Sequence, residues 1–192
     1  MPHDAECEIR PFADAASWER WLEENQGLKQ GTWLKIAKKG SGIPTVSYDE
    51  ALDVALCYGW IDGQKKTYEG EFFMQRFTPR RPKSLWSKRN VAKALGLIDS
   101  GRMRPAGLSE VELARSDGRW QAAYDSPKDM VLPEDFLSAL EKNERAKAFF
   151  DTLNKSSRYT IAFRLHNAGT PETRARRFTA LLGQLERGEA IR

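Results

Sequence analysis

The pattern of hydrophobic residues differs between the two parts of this chain, which meet near residues 126–129. Before that point, stretches with helical spacing alternate with stretches in which every second residue is hydrophobic, as in strands. After it, the hydrophobic stretches have helical spacing only. The pattern predicts an α+β fold class, with a small antiparallel sheet packed with helices over residues 1–126 and a C-terminal all-helical module over residues 127–192.

Polar capping residues mark where the first helices begin. Asp14 precedes a hydrophobic stripe that starts at Trp18, and is expected to cap a first helix. Ser47 and Glu50 have the spacing of a capping box, in which each side chain bonds the other residue's backbone amide. Gly59 is expected to end this second helix in the left-handed conformation.

Strand periodicity follows on both sides of that helix. Residues 32–38 predict one strand, and residues 72–78 predict another, with Phe73 and Phe77 on one side. Ile61 leads out of the second helix, and residues 67–70 have the composition of a turn. Two extended stretches joined by a short turn predict an antiparallel hairpin.

The C-terminal module is expected to contain four helices. Pro133 suits the first turn of one of them, and Thr170 followed by Pro171 is typical of a capped helix start. Gly188 is expected to end the last helix.

Cysteine and histidine are too sparse to suggest a metal or redox site. Cys7 and Cys57 are isolated in sequence, which is typical of a reducing compartment. His3 and His166 are far apart, and no His, Cys or carboxylate cluster has metal-ligand spacing. We therefore expect no metal and no cofactor.

The first residues are acidic and lack the hydrophobic core of a signal peptide. The longest hydrophobic run, residues 54–58, is too short to span a bilayer. The sequence thus predicts no membrane span and a cytoplasmic location.

The most distinctive stretch is residues 74–93, which holds seven basic residues and no acid. Arginine suits phosphate or carboxylate, and basic residues interleaved with aromatic rings are typical of single-stranded nucleic-acid grooves. The predicted ligand is therefore an anion, either nucleic acid or a phosphorylated small molecule. The candidate ligand-binding residues are Trp60, Asp62, Arg76, Phe77, Arg80, Arg81, Lys83, Trp86, Ser87 and Asn90.

Different roles are expected within this set. Charge contacts are assigned to Arg76, Arg80, Arg81 and Lys83, and stacking is assigned to Trp60, Phe77 and Trp86. The alternative is a solvated basic loop. The stiffening of the loop by Pro79 and Pro82 favours the functional interpretation.

The sequence supports catalysis less well than it supports anion binding. Asp62 beside Trp60 could serve as a base at a pocket, or it could cap a turn while Trp60 fills the core. Cys57 has no partner base in the sequence, and the common nucleotide, hydrolase and metalloprotease motifs are absent. No catalytic residue is assigned, and an enzyme of unknown reaction that uses Asp62 stays an alternative.

Arginines recur in the last predicted helix and the one before it. Arg174 and Arg177 share a helical face, and Arg158 and Arg164 precede them. The group could be a second anion site, but the solvent face of an amphipathic helix is the favoured interpretation.

Taken together, the motifs resemble the bacterial YdeI/OmpD-associated family, also called bacteriocin-protection proteins. They recur in order from about residue 10 to the C-terminus, at residues 33–42, 51–63, 76–90, 101–107 and 171–177. The resemblance implies an α+β fold with a C-terminal helical module, and a role in bacteriocin protection or stress. It also implies, as an alternative to anion binding, a protein–protein interaction through the C-terminal helices, and it brings no catalytic residues or cofactor.

Overall fold

In the computed structural model of this chain, residues 8–191 are described, and they divide into two units. The sheet unit comprises the described residues up to Trp86 together with Asn90–Ala122. The helical unit comprises Ser87–Arg89 and the described residues from Ala123 onward.

The described residues form four strands and eight helices. In chain order the elements are β1 (Ile9–Pro11), α1 (Ala15–Asn25), β2 (Thr32–Ala37), α2 (Tyr48–Cys57), β3 (Trp60–Thr67), β4 (Phe72–Pro79), α3 (Lys88–Asp99), α4 (Pro105–Ser116), α5 (Glu134–Glu141), α6 (Glu144–Thr152), α7 (Lys155–His166) and α8 (Pro171–Glu186). The predicted α+β class and the helical C-terminal region are confirmed.

The strands pair in the order β1-β2-β4-β3. Strand β4 is antiparallel to both of its neighbours, which confirms the predicted hairpin of β3 and β4. Strand β1 was not predicted, and it runs parallel to β2, so that the sheet is mixed instead of purely antiparallel. The parallel pairing is possible because α1 connects the two strands and returns the chain to the same end of the sheet.

One face of the sheet is packed into a core of aromatic rings. Leu34 and Phe77 are fully buried on this face. The ring of Trp18 from α1 lies 5.8 Å from that of Phe77 and 6.3 Å from that of Trp60. The indole nitrogen of Trp18 donates to the Ala51 carbonyl in α2 at 3.1 Å, so that one buried side chain joins both helices to the sheet.

The predicted helix signals of the sheet unit are present. Asp14 caps α1, and Ser47 and Glu50 form the reciprocal capping box of α2. Gly59 follows α2 with φ +72, and a Cβ there would lie 3.0 Å from the Ala106 carbonyl oxygen. Glycine is therefore required twice at this turn, for its conformation and for the close approach of α4.

In the helical unit, α5 to α8 surround a core of their own. Each helix contributes large buried side chains, among them Phe136, Phe150, Ile161, Leu165, Leu181 and Leu185. Thr170 caps α8, with Pro171 as its first residue, as predicted. The short helices stay ordered because each buries one apolar face against the others.

Within residues 8–191, no helix is long and apolar enough to cross a membrane. The same residues contain no group of three or more His, Cys, Asp or Glu that could hold a metal ion. Cys7 and His3 lie outside the described residues.

Candidate functional site

The three rings to which stacking was assigned are interior residues. Trp60 is 1% exposed, Phe77 is fully buried and Trp86 is 2% exposed. Trp60 and Phe77 belong to the aromatic core around Trp18, whereas Trp86 packs edge-on against Trp120 with ring centres 4.9 Å apart. A base stacks on an open ring face, and in this structure these three rings are used for packing instead.

Arg80 is buried with Trp86. The carbon of its guanidinium lies 3.5 Å from the centre of the Trp86 ring, and its Nη1 donates to the Leu85 carbonyl at 3.3 Å. Only 6% of Arg80 is exposed. This close cation–π contact supports the Pro79–Pro82 loop from inside, and it draws the charge away from any ligand outside the loop.

The remaining cations of that loop face solvent. Arg81 and Lys83 are exposed, and the backbone amide of Arg81 donates to the Ser84 hydroxyl at 3.1 Å. Ser87 pairs with Tyr124 in the helical unit, whereas Asn90 is 5% exposed in the sheet unit. Five of the ten candidates are buried and offer no open surface to a ligand, namely Trp60, Phe77, Arg80, Trp86 and Asn90.

The described surroundings of Asp62 and Cys57 give neither residue a catalytic role. The hydroxyl of Tyr48 donates to the Asp62 carboxylate at 2.8 Å, and the neighbouring Trp60 is buried in the core. Burial raises the pKa of the Cys57 thiol to about 11, so the thiol stays protonated and unreactive near neutral pH.

The other face of the sheet carries three cations, of which only Arg76 was predicted from the sequence. Register places Trp33 opposite Arg76 and places Lys35 and Lys66 on either side of Met74. Paired residues point to the same side of a sheet, so these side chains share one face. We call it the open face, and it consists of Trp33, Lys35, Lys66, Phe72, Met74 and Arg76.

On the open face, each cation lies over an aromatic ring. The Lys35 ammonium is 4.1 Å from the centre of Phe72, and the Lys66 ammonium is 4.8 Å from the centre of Trp33. The Arg76 guanidinium lies 5.9 Å from the Trp33 centre on the same ring system. Such contacts hold a cation near the sheet without neutralising its charge.

Within residues 8–191, the cations of the open face have hydrogen-bond and ring contacts but no counter-charge. Arg76 donates from Nη2 to the Gln30 carbonyl at 3.0 Å, which orients the side chain but supplies no negative charge. Among the residues that the structure describes, no carboxylate forms an ion pair with Lys35, Lys66 or Arg76. Lys66 is exposed, and Lys35 and Arg76 are half-buried. The open face can therefore attract and contact an anion.

Of the ten predicted residues, Arg76 alone lies on the open face. The sequence did contain a signal for Lys35, since it alternates with Leu34 and Ile36 in β2 and must point away from the core. The signal for Lys66 was absent, because the register of β3 shifts between Asp62 and Lys65.

Two family models match the chain, and the boundary between their matched ranges lies near the boundary between the sheet unit and the helical unit. A family model described as a domain of unknown function, DUF8412, matches residues 10–110. A second, described as bacteriocin-protection, YdeI or OmpD-associated and abbreviated OmdA, matches residues 129–188. The predicted resemblance is thus shown for the C-terminal residues, whereas the first half matches a different description. No curated protein and no solved structure matches the chain.

Proposed function

The chain belongs to the DUF8412 family and ends in an OmdA region, and from that premise we propose that it is a non-catalytic protein that binds a polyanion on its open face. One observation carries the proposal: three cations share one sheet face, lie over aromatic rings and have no ion pair with a described carboxylate. The ligand we propose is a single-stranded nucleic acid.

The spacing of the cations favours an extended ligand over a small one. Neighbouring strands lie about 4.8 Å apart, so the Cα atoms of Lys35 and Lys66 are separated by roughly 10 Å. Arg76 lies about 7 Å along β4 from Met74, which sits between the two lysines. A small anion would reach only part of this triangle, whereas successive phosphates of a flexible strand can reach all of it.

The aromatic rings favour a single strand over a duplex. Lys66 and Arg76 cover Trp33, which is 7% exposed. When phosphates draw these two cations outward, the ring face beneath them is freed for an unpaired base. Stacking of this kind contributes about 1–3 kcal/mol per base and is available only where bases are unstacked.

The test is a titration of the full chain with labelled oligodeoxythymidylate, RNA and duplex DNA, followed by fluorescence anisotropy at low and near-physiological salt. We expect the single strands to bind more tightly than the duplex, with affinity that falls as salt rises. The variant Lys35→Gln/Lys66→Gln/Arg76→Gln is expected to lose roughly tenfold in affinity per phosphate contact, since a hydrogen bond to a charged group contributes about 1.5 kcal/mol.

A matched control removes the same charge elsewhere. Arg20, Lys29 and Lys128 are exposed and lie outside the open face. Their triple replacement by Gln should weaken binding far less than the open-face variant does. Equal losses in both variants would mean that net charge alone drives binding, and the absence of binding at low salt would exclude a polyanion ligand.

The biological setting we propose is protection against bacteriocins, which the description of the OmdA family names. Cells that express the open-face variant should then survive bacteriocin exposure less well than cells with the unaltered chain, at equal protein levels. If the unaltered chain gives no protection, that setting is wrong, whereas the binding experiment stands by itself.

A further inference from the structure

A pocket of about 370 Å³ lies between α7 and α8 in the helical unit, and we infer that it binds a small phosphomonoester. The residues that line it are Arg164, Arg176, Arg177, Ala180, Leu181 and Gln184. The inference concerns a different unit from the open face and does not depend on the function proposed above.

Helical spacing explains why these residues meet. Arg177, Leu181 and Gln184 are four and three residues apart on α8 and therefore share one side of the helix. Arg164 comes from the last turn of α7. Arg177 bridges the two helices, since its Nη1 donates to the carbonyls of Arg164 at 2.8 Å and of Asn167 at 3.1 Å.

Arg177 thereby fixes one wall of the pocket. The carbonyls that it contacts belong to the end of α7, which carries partial negative charge. The bonds use one nitrogen of the guanidinium, so the group keeps further N–H donors for a ligand. A held guanidinium loses little freedom when it binds an anion, and this raises affinity.

The charge of the pocket is not balanced by any residue that lines it. All three titratable side chains that line it are arginines, and no lining residue is acidic. In the part of the helical unit that the structure describes, none of the three has an ion pair with a carboxylate. By contrast, Arg174 one turn earlier holds Asp135 with two bonds of 2.8 Å, and Arg187 holds Glu189.

The lining identifies the class of ligand. Three like charges in one pocket repel one another, and a dianion offsets them better than a monoanion does. A phosphomonoester carries about −1.5 to −2 at neutral pH, and its oxygens match the forked donors of arginine. Ala180 and Leu181 add a small apolar wall for an organic group. The volume is near the lower end of the range for ligand pockets, so a compact ligand is favoured.

The experiment is isothermal titration of the full chain with phenyl phosphate, at salt near physiological concentration. We expect saturable binding at one site. In the variant Arg164→Gln/Arg176→Gln, affinity should fall at least tenfold. Both side chains are exposed, so the variant should fold, and a thermal melt checks this. Arg145→Gln is the control, because Arg145 is an exposed arginine on α6 outside the pocket, and it should bind within twofold of the unaltered chain.

Two further ligands test the selectivity of the pocket for a dianion, and one further variant tests whether the pocket is separate from the open face. Phenyl sulfate and benzoate carry one charge and should bind at least tenfold more weakly than phenyl phosphate. The open-face variant should bind phenyl phosphate normally, which separates this site from the polyanion surface. No binding by the unaltered chain, an equal loss in Arg145→Gln, or equal affinity for benzoate would overturn the inference.

Discussion

Among the tryptophans of the sheet unit that have an arginine or lysine over the ring, Trp86 and Trp33 are used in opposite ways. Trp86 and Arg80 are both buried, with the guanidinium carbon 3.5 Å from the ring centre. Trp33 is covered by Lys66 and Arg76 at 4.8 and 5.9 Å, and these two cations reach solvent. The contact type is the same, but only the second leaves positive charge where a ligand can approach.

The difference arises from the position of each pair in the fold. Trp86 packs against Trp120, and the backbone N–H of Arg80 donates to the Gly59 carbonyl at 3.0 Å. These contacts hold the loop that carries both residues against the interior of the sheet unit. Trp33 and Arg76 are neighbours across β2 and β4, on the face away from the aromatic core. A cation beside an aromatic ring therefore indicates binding only when the burial of both is known.

The largest effect on stability is expected when the buried pair of Trp86 and Arg80 is disrupted. Trp86→Ala removes a buried ring and leaves a cavity, so it should lower the free energy of unfolding of the sheet unit by about 3–5 kcal/mol. Urea denaturation followed by tryptophan fluorescence is suited to the measurement, because all six tryptophans lie in the sheet unit. A loss below about 1 kcal/mol would show that Trp86 is not an interior residue.

A smaller effect on stability should distinguish Arg80 from Arg76. Arg80→Ala removes a desolvated cation–π contact and should cost about 2 kcal/mol of stability, whereas Arg76→Ala removes a partly exposed one and should cost about 0.5–1 kcal/mol. Polyanion binding should show the reverse order, with a loss for Arg76→Ala and none for Arg80→Ala. Equal effects of the two substitutions on both measurements would contradict the comparison.

The smallest effect concerns a cation that the protein neutralises itself. Hydrogen bonds from Arg174, with the guanidinium charge adding to them, lower the pKa of Asp135 below its ordinary value of 3.8. A lowered folded-state pKa stabilises the fold above the unfolded-state pKa, and this contribution disappears as pH falls through the folded-state value. Because the pair is half-exposed, Asp135→Asn should cost only a few tenths of a kcal/mol at neutral pH.

Thermal melts followed by circular dichroism can measure this difference between the unaltered chain and Asp135→Asn. The difference in melting temperature should be present at pH 7 and should vanish at a pH below the lowered pKa of Asp135. A difference that is unchanged at acid pH would mean that the ion pair with Arg174 contributes nothing.

Much of the local structure could be predicted because its causes are local. The capping residues Asp14, Ser47 and Thr170 fixed the starts of three helices, and Gly59 fixed the end of one. Strand β1 was missed because it is only three residues long, too short to show periodicity.

The site was harder to predict because burial and strand register depend on residues that are far apart in the sequence. Trp86 is interior because of Trp120, 34 positions later in the chain, and no pattern near Trp86 indicates that partner. The open face joins Lys35 and Lys66 through a strand that lies between them in space but after both in sequence. Basic and aromatic residues that are close in sequence therefore indicated the loop, whereas the shared sheet face depends on strand order.

The most direct test of the open face is lysine acetylation, measured residue by residue by mass spectrometry with and without saturating oligodeoxythymidylate. If the strand binds the open face, Lys35 and Lys66 should become protected, while Lys29 and Lys128 should react as in the free protein. Protection of Lys83 with unchanged Lys35 and Lys66 would contradict binding at the open face, because the ligand would then lie on the basic loop and not on the sheet.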